Sequence, residues 1–77
     1  MPTSLTIDDV LVALTYCVID DARALELELR FPDDSYSLGR CTQSQGVVLN
    51  DPACISAAQT AALSTQAAQV LADWAAQ

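Results

Sequence analysis

The sequence predicts an all-α fold, a small bundle of three to four helices in a single domain that spans residues 1–77. One observation is an apolar stripe, spaced in threes and fours, that extends from Ile7 to Leu29. Another is the C-terminal segment from Pro52 to Gln77, which is rich in alanine and other good helix formers. An α+β alternative places short strands near residues 25–31 and 47–49.

The first predicted helix begins near Thr6. Thr6 and Asp9 have the spacing of a capping box, with Asp in place of Glu. Pro32 is expected to end the helix, because the residue before a proline disfavours the helical conformation. The apolar stripe of this predicted helix consists of Ile7, Val10, Leu11, Leu14, Cys17, Val18, Ala22, Leu25 and Leu29.

The segment Leu25–Phe31 also supports a second interpretation. Apolar and charged residues alternate along it without interruption, and this two-residue period is typical of a strand. A strand would require Asp20-Asp21-Ala22-Arg23 to form a turn, although this segment contains no Gly, Asn or Pro. Because Glu and Leu favour helix, we predict a helix here and keep the strand as the alternative.

Residues 32–51 are predicted to form an irregular connection. Both glycines of the chain lie in it, and it opens on the turn-forming sequence Pro32-Asp33-Asp34-Ser35. The Asp-Asp pairs of the chain are expected in turns and on solvated faces. After this connection, Asp51 is the predicted N-cap of the next helix, with Pro52 at its first helical position.

The C-terminal helix is predicted to be interrupted. At about 100° per residue, the apolar face of residues 54–62 points nearly opposite to that of residues 67–74. A break near Ser64-Thr65 would let each half bury its own face. We therefore expect two short helices in this segment.

The charge of the chain excludes some partners and favours another. Ten acidic residues, three arginines and no lysine or histidine give a formal net charge of −7. Nucleic-acid binding depends largely on Lys and Arg, so it is not expected, and neither is binding to an anionic membrane. The acidity instead favours a protein partner with a basic surface.

Catalysis is not expected from this composition. The absence of histidine removes the commonest general base and the usual activator of Ser or Cys nucleophiles. The absence of lysine removes Schiff-base and phosphate-loop chemistry. We predict that the protein is not an enzyme and has no cofactor and no metal site.

The three cysteines offer one alternative function. Cys17 and Cys54 are expected to be buried on apolar helix faces. Cys41 is expected in the irregular connection beside Arg40, which would lower its pKa, so a thiol-based redox or metal-responsive protein is an alternative. No basic segment precedes the apolar sequence Val10–Ile19, so we expect no secretion signal and a cytoplasmic location with reduced thiols.

The segment Pro32–Gly39 suggests a second alternative function. Pro32-Asp33-Asp34-Ser35-Tyr36-Ser37-Leu38-Gly39 resembles the loop before the attachment site of acyl and peptidyl carrier proteins, and residues 64–74 are similar to their last helix. The resemblance implies an acidic four-helix domain. In that family an Asp-Ser-Leu motif follows, and its serine bears phosphopantetheine. Here Cys41-Thr42-Gln43 stands at that place, with Ser44 beyond it, which implies a degenerate carrier-like domain.

The favoured function is that of a non-catalytic protein-binding or regulatory module that acts through helix faces. Tyr16, Ile19 and Leu27 fall off the main apolar stripe, so they are candidate contact residues. Trp74 is the candidate aromatic anchor, because buried aromatic side chains dominate many interfaces. The expected partner is a basic protein or a second copy of the chain in a homodimer.

Overall fold

The structure, a computed structural model that describes residues 1–77, is an antiparallel sheet of five strands with one C-terminal helix. The predicted all-α bundle is therefore wrong, and the protein is not mainly helical. The strands lie in the sheet in their sequence order, and each is joined to the next by a hairpin. The elements are β1 Ser4–Ile7, β2 Val10–Ile19, β3 Ala22–Phe31, β4 Asp34–Thr42, β5 Gly46–Leu49 and α1 Ala57–Ala75.

The turn between β2 and β3 explains why the long N-terminal helix does not form. Asp20 and Asp21 both have positive φ angles, 51° and 65°. A two-residue hairpin loop of this kind needs φ > 0 at both central positions, and Asp tolerates that conformation better than most residues. A turn without Gly, Asn or Pro is therefore stable here, and the alternation in Leu25–Phe31 belongs to a strand.

The three Asp-Asp pairs mark the first three of the four hairpins of the sheet. Residues 8–9 and 20–21 form the β1–β2 and β2–β3 turns, and Asp33 and Asp34 lie where β3 turns into β4. Their spacing of about twelve residues is that of a strand of about ten residues plus a two-residue turn. The strands of the α+β alternative, at 25–31 and 47–49, lie within β3 and β5. The sequence analysis did not predict the other three strands.

The core lies between one face of the sheet and α1. Side chains on this face alternate along each strand with solvated ones, as a sheet covered on one side requires. Fully burying a leucine side chain contributes about 1.5–3 kcal/mol, so these contacts dominate the stability of the fold. The buried cluster consists of Ile7, Val12, Leu14, Leu25, Leu27, Leu29, Leu38, Cys41, Leu63, Ala67 and Leu71.

The helix begins later than predicted. Its N-cap is Ser56 rather than Asp51. The Ser56 side chain accepts a hydrogen bond from the Gln59 backbone N–H at 3.0 Å, and the Gln59 side chain accepts one from the Ser56 N–H at 2.9 Å. This reciprocal capping box satisfies two of the free N–H groups at the helix start.

The helix is also continuous, so the predicted break at Ser64-Thr65 is wrong. Leu63, Ala67 and Leu71 are its buried residues, and their spacing of four keeps them on one face. The two opposed faces of the sequence prediction arose because its apolar face for the first half ended at residue 62 and left out Leu63, which shares the buried face with Ala67 and Leu71. The structure has no helix that is both long enough and apolar enough to cross a membrane.

Candidate protein-binding surface

Two of the four candidate contact residues, Tyr16 and Trp74, pack against each other. Their ring centroids are 5.0 Å apart, with the planes at 87°. The Arg23 guanidinium lies 5.1 Å from the centre of the Trp74 ring and donates a hydrogen bond to the Trp74 carbonyl. A cation at this place also interacts favourably with the negative end of the helix dipole. The cluster therefore fixes the end of α1 to the sheet.

The other two candidates lie elsewhere. Leu27 is only 1% exposed and belongs to the core, so it is not available to a partner in the folded protein. Ile19 is half-buried at the end of β2. Because successive residues of a strand point to opposite faces, Ile19 and Tyr16 lie on different faces of the sheet. The four residues do not form one surface.

The largest exposed aromatic feature is one that the sequence analysis did not single out. Phe31 and Tyr36 are 50% and 54% exposed, although each carries a large apolar ring. Their ring centroids are 5.8 Å apart at an interplanar angle of 70°, a T-shaped contact. Tyr36 pairs with Leu29 across β3 and β4, so it lies on the core face of the sheet, at a place that α1 leaves open.

Four aspartates flank this aromatic pair. Asp33 and Asp34 belong to the same hairpin. Because Leu11 pairs with Arg30, the β1–β2 turn lies beside the β3–β4 turn at the same end of the sheet. We call this surface the acidic end, and it consists of Asp8, Asp9, Phe31, Asp33, Asp34 and Tyr36.

The nearest cation to the acidic end is already paired. Arg30 lies at 2.8 Å from the carboxylate of Glu28. Both side chains are substantially exposed, so the pair contributes little to stability, but it offsets the charge of the arginine. The aspartates of the acidic end therefore dominate the local potential.

A hydrogen bond orders the aromatic pair. The Tyr36 hydroxyl donates to Asp34 Oδ2 at 2.7 Å, and the Ser35 N–H donates to Asp34 Oδ1 at 2.8 Å. The Tyr36 hydrogen bond is the larger cause that lowers the pKa of Asp34, and the same bond raises the pKa of Tyr36. The carboxylate thus stays charged while it orients the ring beside it.

A strand interpretation of the sequence could have identified this surface. Phe31 ends the alternation that begins at Leu25, and Pro32-Asp33 is turn chemistry. In a tight hairpin, aromatic residues just before and after the turn are brought together. The prediction of a helix over β3 concealed this proximity.

The cysteines are placed differently from the prediction. Cys41 lies in β4, fully buried in the core, and burial raises its pKa, so the exposed reactive thiol expected in a loop is not there. Cys54 is exposed rather than buried on a helix face. Cys17 is half-buried, and burial first, then the Glu26 carboxylate, raise its pKa against the opposing effect of Arg40.

The positions implied by the carrier-protein resemblance do not have that family's setting. Thr42 is the last residue of β4, and Ser44 lies in the β4–β5 turn. The four-helix domain that the resemblance implies is replaced by five strands and one helix. The carrier-like fold is therefore wrong for this chain.

No protein-family model, curated protein or solved structure matches this chain. The geometry of the acidic end is therefore the starting point for a functional proposal.

Proposed function

We propose that the protein is a non-catalytic protein-binding module that docks a basic partner through its acidic end. The observation that carries the proposal is the half-exposed Phe31–Tyr36 pair set among four aspartates. Exposed aromatic rings supply anchors that a partner can desolvate. The surrounding carboxylates would attract a partner of opposite charge and set its orientation.

The proposed surface lies on hairpins rather than on a helix face. The apolar side of α1, with Leu63, Ala67 and Leu71, packs on the sheet and is not free for a partner. The aromatic rings of the acidic end, in contrast, are held at strand ends by backbone pairing and by the Asp34 hydrogen bond. A surface on regular elements loses little conformational entropy on binding.

Site-specific photo-crosslinking tests the proposal. Tyr36 is replaced by the photoreactive residue p-benzoylphenylalanine, and the protein is irradiated in its own host. Val18 is the matched control position, because it is 66% exposed and lies at the opposite end of the sheet. We expect an adduct with a basic protein from position 36 and none from position 18.

The cross-linked protein is then purified and its affinity measured by calorimetry. Loss of an aromatic anchor costs about 2 kcal/mol or more, so Tyr36→Ala should weaken binding about 30-fold. Asp33→Asn should weaken it less, through a slower association rate. Equal adducts at both positions, or a partner that binds Tyr36→Ala as tightly as the unmodified protein, would contradict the proposal.

A second copy of the chain is the second candidate partner. β1 and β5 are the edges of the sheet, and neither contains a charged residue. Uncharged edge strands with free N–H and C=O groups are ready sites for pairing with another strand. Val48 on β5 is exposed, so its side chain is available to such a contact.

We also propose a cytoplasmic location. All three cysteines are free thiols, and Cys41 is enclosed in the core. Free thiols persist in a reducing compartment, whereas oxidising compartments favour disulfides. Fractionation of the host cells, followed by detection of the chain in the soluble cytoplasmic fraction, tests the proposal, and recovery from an extracellular or periplasmic fraction would contradict it.

A further inference from the structure

We infer that two copies of the chain stack through the face of the sheet that α1 does not cover, and that they form a homodimer with a two-fold axis. Val12 and Leu14 point towards α1, so the residues next to them on β2 point the other way. Residues that are paired across two strands share a face. We call this second face the open face, and it consists of Leu11, Ala13, Thr15, Cys17 and Ile19 of β2 and the residues paired with them.

The part of the open face that β2 forms is unusually apolar for a surface without a covering layer. None of its five residues is charged, and Leu11 is 42% exposed. An antiparallel sheet that is covered on one side normally carries polar side chains on the other. β3 follows that rule with Glu26, Glu28 and Arg30, whereas β2 does not. A contiguous exposed apolar strip of this kind marks an interaction surface.

The charges of the open face favour a second copy of the chain as the partner. Its strands carry two glutamates, Glu26 and Glu28, and two arginines, Arg30 and Arg40, so their charges cancel. The rest of the chain carries eight aspartates and one arginine. Two copies, each of net charge −7, therefore repel each other least when their open faces meet.

Glu26 and Arg40 give this contact a specific geometry. They are direct neighbours across β3 and β4. The Glu26 carboxylate raises the pKa of the Cys17 thiol and Arg40 opposes this effect, as expected for three groups on one face. The one salt bridge of the structure joins Arg30 to Glu28, so neither Glu26 nor Arg40 is paired within the chain.

A two-fold axis that runs along the strands, between β3 and β4, exchanges the positions of these two residues. It places Arg40 of each copy opposite Glu26 of the other, because the two residues lie at the same level of the sheet. The result is two equivalent ion pairs, as a self-complementary interface requires. Stacked sheets align to within about 30°, so the correspondence holds close to the axis.

The open face is large enough for such a contact. With about 3.3 Å per residue along a strand and about 4.8 Å between strands, the five strands cover roughly 600 Å². Two copies would therefore bury about 1,200 Å² in total, which is the lower limit of standard specific interfaces. We expect a dissociation constant in the micromolar range, because an interface of this size has little binding energy to spare.

Opposite charge reversals at Glu26 and Arg40 test the arrangement. Arg40→Glu alone would bring two glutamates together at each contact, and Glu26→Arg alone would bring two arginines together. Each variant should dimerise at least about tenfold more weakly than the unmodified chain, because like charges face each other. An equimolar mixture restores both opposite-charge pairs and should form a heterodimer about as tightly as the unmodified chain forms its homodimer. Sedimentation equilibrium in about 0.15 M sodium chloride measures all three.

Asp73→Arg is the matched control. Asp73 is exposed on α1, outside the open face, and its replacement changes the net charge by as much as Glu26→Arg does. It should dimerise at least as tightly as the unmodified chain, since it only reduces the repulsion between copies. Arg40 is exposed, so Arg40→Glu should fold, and its dimerisation alone decides the matter if circular dichroism shows that Glu26→Arg is unfolded.

Three results would overturn the inference. They are an unmodified chain that stays monomeric up to about 100 µM, an Arg40→Glu variant that dimerises as tightly as the unmodified chain, and two folded variants whose mixture does not associate. Pairing of sheet edges predicts no such recovery in the mixture. Tyr36 lies on the other face, so Tyr36→Ala should dimerise normally, and failure of this inference is distinguishable from failure of the proposed basic partner.

Discussion

At the scale of single residues, the acidic end depends on one hydrogen bond between two exposed side chains. Tyr36 and Asp34 are two positions apart on β4, so their side chains lie on the same face of the strand. The Tyr36–Asp34 hydrogen bond holds a carboxylate and an aromatic ring next to each other. A carboxylate requires solvation, whereas an aromatic ring favours burial. A partner would meet both groups in a fixed relative orientation.

The substitution Tyr36→Phe tests this bond through the pKa of Asp34. The bond is the largest cause that holds this pKa below its ordinary value of 3.8, so the pKa should rise towards that value when the hydroxyl is removed. Since the pKa is lower in the folded state, the carboxylate favours folding above pH 3.8, and this contribution disappears as the pH falls through the folded-state pKa. Titration of the side-chain carboxyl carbons by NMR measures the change.

Tyr16→Phe is the control for this experiment. The Tyr16 hydroxyl donates to the Pro2 carbonyl, and the residue lies on β2 rather than on the β3–β4 hairpin. The Tyr16→Phe substitution also removes a tyrosine hydroxyl, but far from Asp34, and should leave the pKa of Asp34 unchanged. An unchanged pKa in Tyr36→Phe would mean that the Ser35 N–H, and not the tyrosine, sets the acidity of Asp34.

Single residues were also where sequence reasoning was least reliable. Tyr16 and Trp74 are separate contacts in the sequence interpretation, yet the fold brings their ring centroids within 5.0 Å although the residues are 58 positions apart. Leu27 was selected because it fell off a helical stripe, but on a strand it points into the core. Such pairings depend on topology, which the pattern of one segment cannot specify.

At the scale of elements, β2 shows why apolar spacing alone was misleading. It places Val12 and Leu14 in the core, and it carries Leu11 and Cys17 on the opposite face. Apolar residues on both faces of a strand give spacings of three and four as readily as spacings of two. β3 has charged residues on its open face, so its alternation was visible in the sequence, whereas that of β2 was not.

The helix was easier to identify than the strands. α1 lies within the segment Pro52–Gln77, where alanine and other strong helix formers predominate. Local hydrogen bonds satisfy the backbone of a helix, so propensity is informative there. A strand depends on partners elsewhere in the chain. The Asp20-Asp21 turn aligns β2 with β3, but it contains no glycine or proline from which a turn could be predicted.

The junction of β4 and β5 depends on Gly39. Its φ is +154°, a conformation that other residues rarely adopt, and a side chain there would collide with the Val48 backbone. Gly39→Ala should therefore lower the free energy of unfolding by about 3 kcal/mol, through backbone strain and overpacking. Urea denaturation followed by circular dichroism measures it.

Gly46→Ala is the matched control at the start of β5. This glycine also has a positive φ, +70°, but an added methyl group would meet nothing within 4 Å. The cost should be limited to about 1 kcal/mol, from the left-handed backbone conformation. Equal losses in the two variants would show that the close approach of β4 and β5 is not what requires Gly39.

At the scale of the whole molecule, the meander concentrates the exposed aromatic rings at one end of the sheet. The β1–β2 and β3–β4 turns share one end of the sheet, where Phe31 and Tyr36 are surrounded by aspartates. The β2–β3 and β4–β5 hairpins share the other end, where Arg23 and Arg40 lie on opposite faces of the sheet, near Asp20 and Asp21. Alternate hairpins of an antiparallel meander always fall at opposite ends, so twelve-residue spacing is enough to assign turn residues to one end or the other.

This charge distribution predicts opposite effects of salt on the two candidate partners. Binding of a basic protein to the acidic end is attractive over distance, so its dissociation constant should increase as sodium chloride rises from about 0.05 M to 0.5 M. Two copies of the chain each carry a net charge of −7 and repel each other. Screening reduces that repulsion, so self-association through a sheet edge should become stronger over the same range.

Sedimentation equilibrium of the purified chain measures the second effect, against a monomer mass of 8.2 kDa. Val48→Lys is the diagnostic variant, because a lysine on an edge strand opposes pairing with another strand. If β5 is the contact, this variant should remain monomeric at high salt, although it also reduces the net charge that opposes association. Salt-dependent dimers that persist in Val48→Lys would place the contact elsewhere, and a monomer at every salt concentration would leave the basic protein as the only candidate partner.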